Sequence, residues 1–341
     1  MPDCGSQCWL CDLPVHFDTY TGCTHDCRYC FARKQRNIEK IGLNEGPKQL
    51  ADFIAGKRNR DTNWCDWDIP IHIGGLSDPF QPLEKKYRRM YECLEVLAET
   101  KYPVIISTKG RLCVDPEYLS LLSKCNVCMQ VSIVCKSYDK LEKGAPPFEE
   151  RLEMVDTLSK AVPRVNVRVQ PYMHEVFKEV MENVPRFAAA GAYGATFEGM
   201  KFQKKKPGLI KCGGDMVYPV NILQHDFERL RDECHKAGIK FWSGENRLRR
   251  MGDSLTCCGI EGMEGFVPNT YNLNHLLNGD KVEPTNLMCQ PQTAQCMHAT
   301  AQKAGAWERQ KNMSFRDALL MMYAESKKTC DEVLGVGLNI K

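Results

Sequence analysis

Short apolar runs rich in β-branched residues alternate with longer amphipathic stretches through most of the chain. Seven of these runs predict β-strands, at residues 16–20, 69–74, 104–108, 127–134, 165–170, 195–201 and 239–243. The stretches between them predict helices at residues 82–100, 117–123, 147–161, 176–190 and 222–237. Strands that alternate with helices pair in parallel through right-handed crossovers, so this order predicts an α/β fold. Six or seven such units favour a partial or full β/α barrel over a flat sheet.

The pattern changes after residue 243, where Gly, Asn, Cys and Met are frequent and strand signals are few. One further helix is predicted at residues 314–326, with Ser314 as its N-cap. We therefore expect three parts. These are a Cys-rich N-terminal segment (1–14), a barrel (15–243) and a C-terminal extension (244–341) that closes one end of the barrel and carries candidate metal ligands.

The charge of the chain is nearly balanced, with 46 Lys and Arg against 43 Asp and Glu, a net charge of +3. This balance argues neither for nor against a nucleic-acid partner, so a contact with DNA requires a local basic patch. No stretch approaches 18 apolar residues, which predicts no membrane span. The first residues lack the basic and apolar regions of a signal peptide, so we expect a cytoplasmic protein.

The chain contains 19 cysteines. Without a signal peptide, tightly spaced cysteines indicate metal ligands rather than disulfides. Others, such as Cys93, Cys113 and Cys234, fall within apolar patterns and are predicted to fill the core.

The most informative segment has the spacing C-x3-C-x2-C, formed by Cys23, Cys27 and Cys30. A cubic [4Fe–4S] cluster requires four ligands, so three thiolates leave one iron open to a non-protein ligand. A structural zinc site requires a fourth Cys or His nearby, and His25 lies between the first two cysteines, where it is poorly placed to serve. The segment therefore predicts an iron–sulfur cluster with an open iron.

This motif resembles that of the radical S-adenosylmethionine (SAM) superfamily. The resemblance implies a partial (β/α)6-type TIM barrel in which the amino and carboxylate groups of SAM chelate the open iron. It implies that the cluster splits SAM into methionine and a 5′-deoxyadenosyl radical, using an electron from a reductant such as flavodoxin or ferredoxin. Tyr29, directly before the third cysteine, is expected beside the SAM adenine.

Segments 71–84, 106–110 and 141–152 resemble strand regions of the subfamily that includes spore photoproduct lyase. This resemblance implies that Lys109 meets the SAM carboxylate, and it places Ser77 and Asp78 in the cofactor site. The lyase has a cysteine hydrogen donor shortly before its Ser-Asp pair, but Gly75 occupies that place here. The resemblance therefore indicates the scaffold and the cofactor, not the substrate.

Further cofactor contacts are inferred from residues at the strand ends. Gly74 and Gly75 allow a close approach of the backbone, whose N–H and C=O groups could meet the SAM ammonium and carboxylate; the alternative is a tight exit from the strand. Ser132, on the fourth predicted strand, either binds the ribose or is a barrel serine with an internal partner.

The N-terminus repeats the spacing C-x3-C-x2-C at Cys4, Cys8 and Cys11. No strand precedes this motif, and Leu10 stands where the other motif has an aromatic residue. We therefore predict an auxiliary site there, a second Fe–S cluster or zinc, with free thiols as the alternative.

The fourth ligand of the auxiliary site is expected from Cys257 or Cys258, or from the pair Cys289 and Cys296. Residues 256–259 follow the last predicted strand, so we expect them at the same barrel end as the 23–30 loop. Adjacent cysteines rarely share one metal, which makes Cys257 the predicted ligand and Cys258 a candidate hydrogen-atom donor. Cys135, just past the fourth strand, is a second candidate donor.

Residues 201–206 form a dense basic stretch, with four lysines around Phe202. Basic side chains bind phosphates and an aromatic ring stacks on a base; the alternative is a solvated loop. We expect hydrogen abstraction from a nucleic-acid or nucleotide substrate, in base repair or hypermodification, with a peptide or small metabolite as the alternative. Candidate substrate contacts at the strand ends are Gln170, Tyr172, His174, Glu198, Glu245, Asn246 and Arg247.

Overall fold

A curved parallel sheet forms the centre of the molecule. The computed structural model describes residues 3–4, 8–34, 40–59, 62, 65, 68–280, 309–310 and 312–338 of the 341. At one edge, β1 (Asp3–Cys4) pairs antiparallel with β2 (Val15–Phe17). The strands after β2 pair in parallel in chain order: β3 (Ile71–Ile73), β4 (Val104–Thr108), β5 (Val127–Ser132), β6 (Arg164–Tyr172) and β7 (Gly194–Gly199). An antiparallel hairpin of β8 (Ile210–Cys212) and β9 (Asp215–Val217) follows, and β10 (Lys240–Ser243) completes the sheet beside β7.

The sheet curls around a polar interior. Arg168 of β6 reaches Ser107 of β4, with 3.1 Å from Nη1 to Oγ, and lies 3.5 Å from Nε2 of His72 on β3. Neighbouring strands are about 4.8 Å apart, so a flat sheet would separate β3 from β6 by roughly 14 Å. The predicted partial β/α barrel is therefore confirmed, with β1 and β10 as its edges.

Helices pack against the sheet and each other through apolar stripes. In α3, for example, Met90, Cys93, Leu94 and Leu97 recur at helical spacing and are all buried. Within the described ranges, no helix is both long and apolar enough to span a bilayer. The helices are α1 (Pro47–Ile54), α2 (Glu84–Tyr87), α3 (Arg89–Thr100), α4 (Pro116–Leu122), α5 (Phe148–Ser159), α6 (Phe177–Ala189), α7 (Val220–Lys236), α8 (Leu273–Asn278), α9 (Phe315–Glu325) and α10 (Lys327–Leu334).

The predicted helix at 82–100 is split in two because Arg88 adopts a left-handed backbone conformation, with φ of +50°. The buried Glu84 carboxylate accepts the N–H groups of Met90 and Tyr91, at 3.0 and 2.8 Å, and so caps the start of α3. The seven predicted strands are present, and Ser314 caps α9 as predicted. Helices α1, α8 and α10 and the β8–β9 hairpin are too short to give a clear periodic signal.

The amino end of the barrel is closed by residues 8–14 and 254–275, which we call the plug. The Asn126 amide, directly before β5, donates to the carbonyl of Glu264 at 2.8 Å, and Arg164, the first residue of β6, donates to the carbonyls of Gly259 and Glu261. An apolar cluster fills the space inside: Leu13, Ile105, Cys128, Cys258, Ile260 and Phe266.

The expectation that residues 256–259 lie at the same end as the 23–30 loop was wrong. After β10 the chain turns back along the strand, where the Asp253 N–H donates to the Phe241 carbonyl at 2.8 Å. This return carries the following residues to the amino end, opposite the loop that follows β2.

Candidate active site

The 23–30 loop follows β2 at the carboxyl end of the barrel, where neighbouring loops hold it. The buried Gln81 amide donates to the Gly22 carbonyl, and its oxygen accepts the Thr24 N–H, both at 2.9 Å. On the other side, the Gly144 N–H donates to the His25 carbonyl at 3.0 Å. A Cβ at Gly144 would meet the Thr24 carbonyl at 2.4 Å, so only glycine allows this approach.

Asp78 connects this loop to the ends of β3 and β4. Its carboxylate lies 3.1 Å from His25 Nε2 and accepts the Lys109 N–H at 2.6 Å and the Thr108 hydroxyl at 2.7 Å. Burial alone would raise the pKa of Asp78, but His25 and these donors lower it to about 2. A charged carboxylate thus anchors His25, whose Nδ1 lies 2.9 Å from the Gly144 carbonyl.

The donor set of the loop fits an iron–sulfur cube with an open corner. Cys23, Cys27 and Cys30 are free thiols on one loop, and His25 is already engaged by Asp78 and Gly144, so this described loop offers no fourth ligand. Burial raises the pKa of Cys23 to about 12 and that of Cys27 to about 11, so bound metal is needed to stabilise the thiolates. Among the described side chains, no three His, Cys, Asp or Glu residues already converge as a closed metal site would.

A charged cluster lies beside the loop. The Tyr29 hydroxyl donates to the buried Glu142 carboxylate, which also accepts Arg151. Lys109 Nζ lies 3.9 Å from Glu142 and 5.9 Å from the centre of the Tyr29 ring. The Arg151 guanidinium also donates to the Ser132 carbonyl at 2.8 Å. The structure thus brings together Tyr29, Lys109 and Ser132, which the sequence analysis selected separately.

The glycines after β3 are required by close packing. Gly74 has φ of +88°, and a Cβ there would meet the Ser107 carbonyl at 2.4 Å. A Cβ on Gly75 would meet the His16 ring at 2.4 Å. These contacts explain a tight strand exit, which is the alternative given above. They place the backbone of both glycines at the edge of the barrel interior.

Ser77 and Asp78 position this loop, since both side chains are already occupied. The Ser77 hydroxyl and N–H both donate to Asp18 Oδ1, at 3.2 and 2.8 Å. Asp78 is engaged by His25, Thr108 and Lys109. Their expected direct contact with the cofactor therefore does not follow from this geometry.

The side chains of the two candidate hydrogen donors have their partners outside the 23–30 loop. Cys135 is fully buried, and its thiol bonds to Glu179 of α6, outside the barrel interior; burial raises its pKa to about 12. Cys258 belongs to the plug, where its carbonyl accepts the side-chain amides of Gln130 and Asn166, at 2.9 and 3.0 Å. The local position of Cys135 after a strand did not reveal which way its side chain turns.

Sequence reasoning missed a polar network that lines the barrel interior, or lumen. His72 Nε2 lies 2.7 Å from the Ser107 hydroxyl, which donates to Gln130 at 3.0 Å. Arg168 donates to both Ser107 and Gln130, and the His16 ring lies 4.9 Å from that of His72. The available signal was polar residues two apart within strands, such as Asn166, Arg168 and Gln170 on β6.

The cysteines proposed for an auxiliary site meet at the plug. The Asn269 amide donates to the carbonyls of Cys8 and Cys11, at 2.9 and 3.2 Å. Cys257 lies close enough to Cys11 to raise the pKa of the Cys11 thiol, and the Cys257 sulfur lies 4.0 Å from that of Cys258. Cys4 belongs to β1, but its side chain lies outside the described structure, as do Cys289 and Cys296.

The remaining candidates divide between lumen and surface. Gln170 donates to Glu198 inside the barrel mouth, and Lys201 pairs with Glu198 at 2.7 Å. The hydroxyl of Tyr172 and Nδ1 of His174 both contact Asp226 of α7, at 2.6 Å. The other candidate pair is buried: Glu245 bonds to Arg247 at 2.8 Å.

The partial β/α barrel thus carries three free thiols on the loop after its first parallel strand. No protein-family model matches the chain. Uncharacterised proteins of Mycobacterium tuberculosis and Mycobacterium bovis are 26% identical over 233 residues, which cover 62% of this chain and 67% of theirs.

Among solved structures, a spore photoproduct lyase variant with bound AdoMet and dinucleoside spore photoproduct superposes with a TM-score of 0.56 at 16% identity. The match covers 68% of this chain and 76% of the lyase. The lyase complexed with the dinucleoside spore photoproduct gives a TM-score of 0.54 at 15% identity, with the same coverage. The chain therefore has the partial-barrel fold of spore photoproduct lyase, as the resemblance implied.

Proposed function

We propose that this protein is a radical SAM enzyme whose [4Fe–4S] cluster is held by Cys23, Cys27 and Cys30. The observation that carries the proposal is a loop with three free thiols at the carboxyl end of the barrel, to which the described residues add no fourth ligand because His25 is engaged by Asp78. When bound and reduced, by flavodoxin or ferredoxin for example, the cluster supplies the electron that splits SAM into methionine and a hydrogen-abstracting 5′-deoxyadenosyl radical.

The residues around the loop bind and orient SAM. Lys109 neutralises the SAM carboxylate, and Tyr29 lies beside the adenine. The backbone at Gly74 and Gly75 meets the ammonium, and Ser132 meets the ribose. The plug closes the opposite end, which keeps water out of the lumen during hydrogen abstraction.

The proposed substrate is a nucleic acid or nucleotide that undergoes base repair or hypermodification. Lys204, Lys205 and Lys206 are exposed on the loop after β7, at the barrel end where the 23–30 loop lies. Phe202 packs edge-on against Tyr218, with ring centres 5.2 Å apart, so an aromatic pair lies beside these charges. The lyase structures with a dinucleoside add support, while a peptide or small metabolite remains the second candidate.

Anaerobic reconstitution with iron counting tests the cofactor proposal. Wild type is expected to bind about four irons per chain and to form 5′-deoxyadenosine from SAM, and a Cys23/Cys27/Cys30→Ala variant should do neither. Full iron content in the triple variant would overturn the assignment. The second metal site stays a prediction, and about eight irons per wild-type chain, or zinc beside four irons, would support it.

Retention on immobilised DNA over a salt gradient tests the substrate class. A Lys204/Lys205/Lys206→Ala variant is expected to elute at lower salt, because each lost phosphate contact reduces the salt dependence of binding. The matched control is Lys124/Lys160/Lys240→Ala, which removes the same charge from exposed residues at the amino end. Equal elution of the two variants would contradict a nucleic-acid contact at the barrel mouth, and SAM cleavage stimulated by a peptide would favour the second candidate.

A further inference from the structure

Arg168 places a positive charge in the lumen among neutral groups. Its Nη1 donates to the Ser107 hydroxyl at 3.1 Å and to Gln130 Oε1 at 2.9 Å, and its Nε donates to Gln170 Oε1 at 3.0 Å. These oxygens fix the plane of the guanidinium. Within the described residues, every hydrogen-bond acceptor of Arg168 is therefore uncharged.

Among the described residues, no carboxylate accepts a hydrogen bond from Arg168. Burial lowers the pKa of His16 to about 4 and holds that of His72 well below its ordinary value, so both rings are neutral at physiological pH. Glu198, beyond Gln170, pairs with Lys201 at 2.7 Å. On the plug side, a hydrogen bond from Cys258 and the charges of Arg249 and Arg168 lower the pKa of Cys257 to about 6, and Arg249 hydrogen-bonds that sulfur, so the Cys257 charge is paired with Arg249.

The position of Arg168 along β6 places it between the plug and the mouth of the barrel. Asn166, two residues earlier, contacts the Cys258 and Gly259 carbonyls of the plug. Gln170, two residues later, contacts Glu198 at the mouth. Arg168 thus lies on the floor of the lumen, between the plug and the end where the 23–30 loop lies. A half-buried guanidinium without an acidic partner is a strong site for a planar or tetrahedral oxyanion.

We propose that Arg168 binds an anionic group of the substrate, a phosphate or a carboxylate, at the floor of the lumen. This inference rests on the proposed function, in which Lys109 binds the SAM carboxylate and Arg168 is therefore available to the substrate. The uncharged side-chain oxygens of Ser107, Gln130 and Gln170 fix the orientation of the guanidinium without neutralising its charge. A phosphate would indicate a nucleotide and a carboxylate a peptide or metabolite.

The test measures the thermal midpoint of the reconstituted protein against inorganic phosphate or acetate, at constant ionic strength set with chloride. We expect one of the two anions to stabilise wild type, with Arg168→Gln requiring about tenfold more of it for the same rise, a loss of about 1.4 kcal/mol in binding. Arg168→Lys keeps the charge and should recover part of the response. The anion with the larger Arg168-dependent effect identifies the ligand class.

The matched control is Arg164→Gln, on the same strand, because Arg164 donates to plug carbonyls and stacks on Tyr193 at 3.9 Å. Equal anion responses in wild type, Arg164→Gln and Arg168→Gln would overturn the inference. So would a large increase in the SAM concentration that Arg168→Gln needs for half-maximal 5′-deoxyadenosine formation, since Arg168 would then serve SAM. Absence of 5′-deoxyadenosine in wild type would instead contradict the proposed function. The thermal-midpoint measurement would still show whether Arg168 binds an anion, because it does not depend on SAM cleavage.

Discussion

The same cysteine spacing occurs twice in this protein, in very different surroundings. The 23–30 loop lies at the carboxyl end of the strands, with Cys23 and Cys30 half-buried and Asp26 and Arg28 exposed. Residues of the 4–11 motif lie at the amino end, where Trp9 and Cys8 are fully buried. One loop faces the open mouth of the barrel and the other lies within the plug.

The two loops are also held by different chemistry. A charged carboxylate, Asp78, holds the 23–30 loop through its contact with His25. The plug instead ties its backbone to asparagines: Asn269 donates to the Cys8 carbonyl, and Asn274 donates to the Leu10 carbonyl at 2.9 Å. The comparison shows that one cysteine spacing occurs in two settings, at the mouth of the barrel and inside the plug, and that the surroundings distinguish them.

Removing one cysteine from each loop gives the largest expected contrast. Cys27→Ala should reduce 5′-deoxyadenosine formation to background, because two thiolates do not hold the cluster, whereas Cys11→Ala should stay within about twofold of wild type per folded molecule. Anaerobic turnover with dithionite and chromatography measures this, with Cys212→Ala as a cysteine control on the hairpin. Equal loss in Cys27→Ala and Cys11→Ala would remove the distinction between the two loops.

Replacing each of the two anchoring carboxylates, Asp78 and Asp12, should affect activity in one variant and stability in the other. Asp78→Asn is expected to lower 5′-deoxyadenosine formation at least about tenfold, because the contact with His25 and one acceptor are lost. Asp12 accepts Thr256 at 2.6 Å and Asn272 at 2.9 Å within the plug. Asp12→Ala should therefore cost about 2 kcal/mol of stability and roughly 4 °C in thermal midpoint, with activity per folded molecule retained. The opposite pattern in the two variants would contradict these roles.

The smallest expected effect is a pH dependence confined to the plug. Burial by itself would lower the pKa of His275, but Asp12 and Asp280 outweigh it and raise that pKa above its ordinary value. A raised histidine pKa stabilises the fold fully below about pH 6.5 and ceases to do so as pH rises through the folded-state value. The difference in thermal midpoint between wild type and His275→Gln should therefore be larger at pH 6 than at pH 9. The exposed His225→Gln serves as control, and a difference independent of pH would refute the coupling.

The strands were predictable because each is a local run of apolar residues, and β4 agrees with its predicted range, 104–108. The buried cysteines Cys93, Cys113 and Cys234 were also predicted from their apolar patterns. The split at Arg88 was not, since it depends on a carboxylate, Glu84, that bonds to groups distant in the chain, Tyr20 and Tyr118. The lumen network was missed for the same reason, because its partners come from five strands.

The sequence by itself determined the alternating order of strands and helices and the three-thiol donor set. Both are local properties, of apolar periodicity and of three cysteines within eight residues. Tertiary structure alone decided that residues 256–259 enter the amino end, that the Cys135 thiol bonds to Glu179, and that the hydrogen-bond acceptors of Arg168 among the described residues are neutral. Which groups face each other across a barrel depends on strand register and sheet curvature, and these arise from contacts between residues far apart in the chain.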